Sequence, residues 1–408
     1  LVRAVRNDAR PGLMEVFLAE YGLSTDEGIA LMCLAEALLR VPDAPTIDAL
    51  IEDKIAPGDW AKHLGHASSP LVNASTWALM LTGKVVDVDK AAKSDISVFM
   101  RNLTRKAGEP VIRSAMMQAM RIMGEQFVVG RTIDAAIERS ETLGLDGGEA
   151  LCSFDMLGEG ARTAKDAERY FQAYFDAIKA LSATRGGNRK EEARPEDISG
   201  ISVKLSALHP RYESINKERV LEELTPKVLE LAQLAKSGNL GLNIDAEESD
   251  RLDLSLEVIQ DVLSDVSLEG WDGFGVVVQA YNKAAPHVLD WLFELSTRLA
   301  RKITVRLVKG AYWDAEIKKA QVNGVKNFPV YTSKAATDTS YLYCAKKLLD
   351  MRHVIYPQFA THNACTVAAI LQMTDDNNGF EFQRLHGMGE SLYRYLVSKE
   401  RIKCRIYA

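Results

Sequence analysis

The sequence predicts a (β/α)8 TIM-type barrel preceded by an all-helical arm and α-domain. Two observations carry that prediction. The period of the apolar residues changes along the 408-residue chain, from helical before about residue 145 to alternating strands and helices after it. Eight short β-rich runs then recur over roughly 260 residues, separated by longer amphipathic segments, the alternation of a parallel barrel. The chain therefore divides into residues 1–145, helical, and 146–408, the barrel. A doubly wound sheet is the rival, but no GxGxxG follows any strand candidate, and "GEGART" and "GMGESL" are too incomplete to serve.

In the helical part, "STDEGIALMCLAEALLRVPDAPT" opens with Ser24 and Glu27 in capping-box register. Ile29, Leu31, Met32, Leu34, Leu38 and Leu39 then follow a helical face until Pro42. "RSAMMQAMRIMGEQFVVG" reads as a second apolar helix ended by Gly130, its methionines filling core space.

The strand candidates are "ALCSFDML" (150–157), "GISVKLS" (200–206), "GLNIDAE" (241–247) and "FGVVVQAY" (274–281). They continue with "ITVRLVKG" (303–310), "IYPQFATHN" (355–363), "FEFQRLHG" (380–387) and "CRIYA" (404–408). "KERVLEELTPKVLELAQLAK" is typical of the helical segments between them.

Composition narrows the function classes. Net charge is −6 with scattered basic residues, so the electrostatic footprint of a nucleic-acid binder is missing. No apolar run approaches the ~18–20 residues of a membrane span, and no secretory h-region opens the chain. Cys33, Cys152, Cys344, Cys365 and Cys404 lie in apolar periodic segments without a CxxC, the pattern of buried free thiols. His63 and His66 in "HLGH" lack acidic or thiol partners and read as surface residues, so no metal is expected. From its start at Leu1 rather than methionine, the chain is expected to be a fragment, or the ordered part, of something longer.

Strand parity points to the chemistry. Side chains of a barrel strand alternate between lumen and helical layer, and active sites lie at the C-terminal strand ends. Lys204, Asp245, Gln279, Arg306, His362, Gln383 and Tyr407 each sit near such an end and, if their side is the lumen, converge on one mouth. The bland alternative is solvated strand ends or structural ion pairs, though buried Lys and Arg are costly without a function or partner. Two cations and one carboxylate make a net positive mouth suited to an anion. Tyr312 and Trp313 in "RLVKGAYWD" add flat surfaces for a planar ligand.

The motifs "MRIMGEQFVVG", "ISVKLSALHPRY", "NIDAEESDRL", "RLVKGAYWDAEIKKAQ", "YPQFATHNA", "FQRLHGMGE" and "CRIYA" closely resemble the proline dehydrogenase domain of bacterial bifunctional proline utilisation proteins. "EGIALMCLAEALLRVPDAPT" resembles the helical arm and α-domain that precede that barrel. The likeness covers nearly the whole chain. It implies an FAD enzyme that oxidises L-proline to Δ1-pyrroline-5-carboxylate and passes electrons to a ubiquinone-type acceptor. It also implies a cytoplasmic protein held peripherally at the inner face of the cytoplasmic membrane, continuous with an aldehyde dehydrogenase domain in its full-length form.

By the same resemblance, Lys204 and Asp245 belong to the proline site, Lys204 pairing with the substrate carboxylate. Tyr312, Leu385 and Tyr407 line the proline ring, and Arg306 bonds near flavin N5. Gln279, Val308, Lys309, Gly310, Ala311, Trp313, Thr332, Thr337, Thr361, His362, Asn363 and Gln383 hold other parts of FAD. The chemistry suits these residues. Hydride leaves the carbon beside a neutral ring nitrogen most readily, and donors such as Arg306 stabilise electron density gained by the flavin.

One departure stands out. The family's eighth strand is followed by a helix whose tyrosine and two consecutive arginines clamp the proline carboxylate, whereas this sequence ends on the strand, at Ala408. The final barrel helix is thus expected to be absent from this chain, and the native molecule to continue beyond Ala408. The family's DNA-binding N-terminal segment and aldehyde dehydrogenase half are likewise expected to be absent, and no nucleic acid is expected to bind this fragment. Two other functions stay open. Lys204 or Lys309 could run Schiff-base aldolase chemistry, which neighbouring Asp245 opposes by keeping a lysine charged. The chain could also be a non-catalytic regulatory module that responds to proline or flavin.

Overall fold

In the computed structural model eight parallel strands close into a barrel, each pairing with its sequence neighbour and the eighth with the first. The structure describes residues 1–6, 43, 45–46, 128–145, 150–156, 158–184 and 193–408. The helix expected over 24–42 lies outside them but for Asp43 at its edge, as do nearly all of that over 113–130, His63, His66 and Cys33. The chain forms two compact units, residues 1–8 with 129–408, and residues 9–128.

The first unit begins with α1 (Val2–Arg6) and α2 (Ile133–Ser140), followed by β1 (Leu151–Asp155), α3 (Ala164–Ala183) and β2 (Gly200–Val203). Next come α4 (Leu205–Leu208), α5 (Lys217–Ser237), β3 (Leu242–Ile244), α6 (Leu252–Ser264), β4 (Phe274–Gln279) and α7 (Ala285–Leu299). Then follow β5 (Ile303–Val308), α8 (Trp313–Val322), α9 (Lys334–Asp350), β6 (Ile355–Ala360) and α10 (Ala364–Gln372). β7 (Glu381–Leu385), α11 (Glu390–Tyr395) and β8 (Cys404–Tyr407) complete it. All eight expected strands are present. α1 lies against α10 and α11, where Leu1 and Val5 pack on the core.

Local chemistry starts four of the helices. Thr132, Thr163, Ser333 and Asn363 each accept a backbone N–H of the first turn of α2, α3, α9 and α10. Pro226 stands inside α5 and removes one helical donor, at a cost of ~3 kcal/mol. The helix persists because Val220, Leu224, Val228, Leu231, Ala232 and Ala235 bury a continuous stripe against the barrel.

The alternation of each strand sorts the core into two kinds. Outward residues such as Phe154, Ile201, Val203, Leu242, Ile244, Val276, Val305, Phe359, Phe382 and Ile406 are buried under the helices and form the apolar core. The lumen is polar instead. Ser153, Ser202, Asn243, Thr304, Arg306, Gln358, Glu381, Gln383 and Arg405 are all buried there, where most such barrels stack branched apolar residues. Gly275 makes room for it, because a Cβ there would fall 1.7 Å from Asn243 Oδ1. Near the N-terminal end, Arg405 grips Glu381 through Nε–Oε1 (2.5 Å) and Nη2–Oε2 (3.1 Å). Arg405 also donates to the carbonyls of Cys152, Ile198 and Glu196. That closed set of bonds satisfies a fully buried ion pair.

Two expectations need correction. "GISVKLS" was expected to run as strand to 206, but β2 stops at Val203 and the chain turns into α4. The Lys204 amide leaves the ladder for the hydroxyl of Tyr174 on α3 (3.3 Å). Among the four described cysteines, all free thiols, Cys152 and Cys344 are buried, but Cys365 is exposed on α10 and Cys404 only partly covered. Burial nonetheless pushes the Cys404 thiol up to about 12, so it is unreactive as a thiolate.

Candidate active site

At the C-terminal end of the barrel, Lys204 is the centre of a five-residue knot. Its ammonium donates to Asp155 Oδ2 (2.8 Å), Asp245 Oδ2 (3.1 Å) and the Tyr407 hydroxyl (3.3 Å). The Tyr407 hydroxyl lies 2.7 Å from Asp245 Oδ2 and 2.9 Å from Asp155 Oδ2. Beneath them Arg306, 2% exposed, donates to Asp245 Oδ1 (3.0 Å), Ser202 Oγ (3.0 Å) and Ser153 Oγ (2.9 Å). Its guanidinium lies 5.0 Å from the Tyr407 ring centroid.

Burial works against the charge of Lys204, but the attraction of Asp245 and Asp155 and the bonds to both outweigh it and hold its ammonium above the ordinary lysine range. Burial first, then the two carboxylates, likewise keeps the Tyr407 hydroxyl protonated. Lys204 is thus a fixed cation, not a neutral nucleophile, which removes the chemical basis for an aldolase reading at this residue.

The end of β5 forms one wall. Gly310 adopts φ +142°, and a Cβ there would meet the Tyr281 ring at 2.4 Å, so only glycine lets the backbone lie on that ring. Gln279 ties two loops together, its Nε2 donating to Glu247 O (2.8 Å) while its Oε1 accepts from Ala311 N (3.0 Å). The Tyr281 hydroxyl accepts from Tyr312 N (3.3 Å). Trp313, 42% exposed, is pinned by its indole N–H to Tyr331 O (2.9 Å). Lys309, one residue past Val308, pairs with Asp338 on α9, which Lys334 also contacts. Thr332 is exposed and Thr337 buried at the start of α9.

The ends of β6 and β7 form the opposite wall. His362 Nε2 accepts from Leu385 N (3.0 Å), which places the ring proton on Nδ1. Burial, aided by the nearby Arg384 charge, holds His362 below its usual range. The Tyr393 hydroxyl of α11 clips the two strands together by lying within reach of Thr361 O (2.5 Å) and Gln383 O (3.1 Å). Leu385 is 45% exposed at the rim. Asn363 proves to be a helix cap, its Oδ1 accepting from Cys365 N and Thr366 N, so only its amide nitrogen is left for a ligand. Gln383 is 1% exposed, yet neither its Oε1 nor its Nε2 has a partner among the described residues. Arg306 Nε and Asp155 Oδ1 are similarly orphaned.

The structure thus joins Lys204, Asp245, Arg306 and Tyr407 directly and sets the other expected residues on two flanking walls. It also corrects the electrostatics. The expected net positive mouth overlooks Asp155, which balances the second cation, so the knot of two cations and two carboxylates is formally neutral. Parity alone could have found Asp155, since it follows Ser153 by two at the end of "CSFD". Parity reaches Ser202 and Tyr281 too, two residues before Lys204 and two after Gln279, but Tyr393 left no such signal, because it stands on a helix that clips two strands.

A family model described as "Proline dehydrogenase" matches residues 137–408, two thirds of the chain. The chain belongs to the proline dehydrogenase family. A second model, "DNA-binding domain of Proline dehydrogenase", matches residues 13–127, the stretch read as helical arm and α-domain, and so corrects the expectation that the family's DNA-binding segment is absent. The bifunctional protein PutA of Klebsiella aerogenes is 49% identical over 98% of this chain, which spans about 30% of that relative's length. The proline dehydrogenase of Deinococcus radiodurans is 24% identical over 74% of this chain and 86% of its own. Among solved structures, Bradyrhizobium japonicum proline utilization A mutant D779W superposes with a TM-score of 0.72 and 48% identity, covering 100% of this chain and 40% of that one.

Proposed function

We infer that this barrel oxidises L-proline to Δ1-pyrroline-5-carboxylate with FAD as the hydride acceptor. The observation that carries the reading is the Lys204–Asp155–Asp245–Arg306–Tyr407 knot at the mouth of a proline dehydrogenase family barrel. A formally neutral knot with separated charges matches a zwitterionic amino acid better than a simple anion.

The residues present fit a flavin. Gln383, whose orphaned amide offers both a donor and an acceptor, and Arg306, whose Nε lacks a partner, are what the polar edge of a planar heterocycle satisfies. Lys309 and Lys334 supply cations for a pyrophosphate, and Gly310 and Ala311 expose backbone beside them. Val308, Trp313, Thr332, Thr337, Thr361 and His362 complete the two walls. When bound, FAD supplies a two-electron acceptor for the hydride on the carbon beside the proline nitrogen. The chain's own work is to orient the ring with Tyr312, Leu385 and Tyr407, hold charge with Lys204 and Arg306, and exclude water.

The reading extends to the longer protein. Its electrons pass to a ubiquinone-type acceptor at the inner face of the cytoplasmic membrane, where the protein sits peripherally, and an aldehyde dehydrogenase domain continues the chain. No helix among the described residues is long and apolar enough to cross a membrane. The reading assigns no nucleic acid to the barrel; for residues 13–127, which match the DNA-binding-domain model, retention on duplex DNA tests that activity.

An absorbance scan and a proline–dye assay test the core of the reading. Purified protein should show flavin bands that bleach on anaerobic L-proline. A colourless protein, or turnover that needs NAD and no flavin, would refute it.

A further inference from the structure

We propose that Asp155 is a positioning residue that locks the Lys204 ammonium and the Tyr407 hydroxyl in place to receive the substrate carboxylate. The inference rests on the proline reading for the identity of that carboxylate, but its geometric part does not.

A lysine ammonium has three protons, and here all three are taken. Two go to carboxylates at 2.8 and 3.1 Å, the third to the Tyr407 oxygen at a slack 3.3 Å. The Tyr407 hydroxyl is itself a donor within reach of both carboxylates, so its oxygen is the partner most easily given up. An incoming carboxylate therefore takes the third proton, while Asp155 and Asp245 keep the other two. With Asp245 alone, the four-carbon lysine stem would regain rotamer freedom.

Asp155 is well placed for this work because its backbone is anchored at the barrel seam. Its amide donates to Ala408 O (2.7 Å) and the Ala408 amide donates to Ser153 O (3.0 Å), where β1 meets β8. Its Oδ2 thus spans from β1 to the residue after β2 and to the tip of β8. Asp155 touches no substrate in this proposal; it acts through Lys204 and Tyr407. The titratable groups facing Lys204 are Asp155 from β1, Asp245 after β3, Tyr407 from β8 and Tyr312 after β5. Tyr174 of α3 holds its amide, and Arg306 of β5 backs Asp245.

Two measurements on the flavin-loaded protein test it. Asp155→Asn should raise KM for L-proline about tenfold or more and change kcat by less than about threefold, with flavin content unchanged. In a Lys204→Met, Tyr407→Phe background, the same substitution should change KM by less than about twofold, since a residue acting through those two groups is silent once both are gone. Separately, residue-resolved mass spectrometry should show Lys204 acylated about tenfold faster in Asp155→Asn than in the parent. Asp155→Glu, which keeps the charge, should restore slow acylation and guards against a folding defect in the asparagine variant. Additive KM effects, a lowered KM, or unchanged acylation would each overturn the proposal. Faster acylation in Asp155→Asn, with a flavin-loaded parent that never oxidises proline, would instead sink the functional reading and leave the Asp155–Lys204 contact standing.

Discussion

Lys204 and Arg306 occupy one knot but divide its work. Lys204 lies at the rim, so Lys204→Ala should raise KM for L-proline by the equivalent of about 2–5 kcal/mol while flavin content barely moves. Arg306 is buried below it with an orphaned Nε, so Arg306→Ala should lower flavin occupancy or shift its reduction potential. Steady-state kinetics with flavin quantification separates them; equal flavin loss in both variants would contradict the division. His362 gives a pH signature. Burial depresses its pKa, so the unfolded chain binds the extra proton first. The stability His362 contributes is therefore present above its unfolded value of about 6.5 and is lost as pH falls through the folded value. Protonation would also break the bond from Leu385 N, since both ring nitrogens then carry protons. Melting curves from pH 8 down to about 5 should show a smaller drop in His362→Gln than in the parent.

Between residue and barrel stand the strand ends, whose backbones are held by side chains from other elements. The turn after β5 needs Gly310 both for its φ of +142° and for the 2.4 Å approach to Tyr281. Gly310→Ala should cost about 1–3 kcal/mol in strain and displace Lys309 to Trp313, lowering both Tm and flavin affinity. If calorimetry and flavin titration show neither change, the close approach has no functional weight. These turns were partly legible in the sequence, for "RLVKGAYWD" announces a charged and aromatic strand end. Where β2 stops was not legible: "GISVKLS" alternates well as a strand, and only the distant Tyr174 hydroxyl draws the Lys204 amide out of the ladder.

At the scale of the whole molecule, the buried Arg405–Glu381 pair near the base of the lumen links β7 and β8 to carbonyls at β1 and before β2. Arg405→Met should destabilise the barrel by about 3–5 kcal/mol, because Glu381 would keep an unpaired buried charge. Adding Glu381→Gln should recover part of that loss in a denaturant titration, and failure to recover it would show the cost to be packing alone. The sequence by itself determined the barrel, its eight strands and the side of each strand that carries polar residues, because period-2 and period-3.6 patterns are local and repeat eight times. It also determined the residue types of the site, through long motifs at successive strand ends. Only the tertiary structure decided that Lys204 has every proton engaged, by Asp155, Asp245 and Tyr407 together. That engagement depends on side chains from β1, from just after β2 and β3, and from β8 meeting within 3.3 Å, and barrel closure, which brings Tyr407 to Asp155 across 252 positions of sequence, leaves no trace in any local pattern.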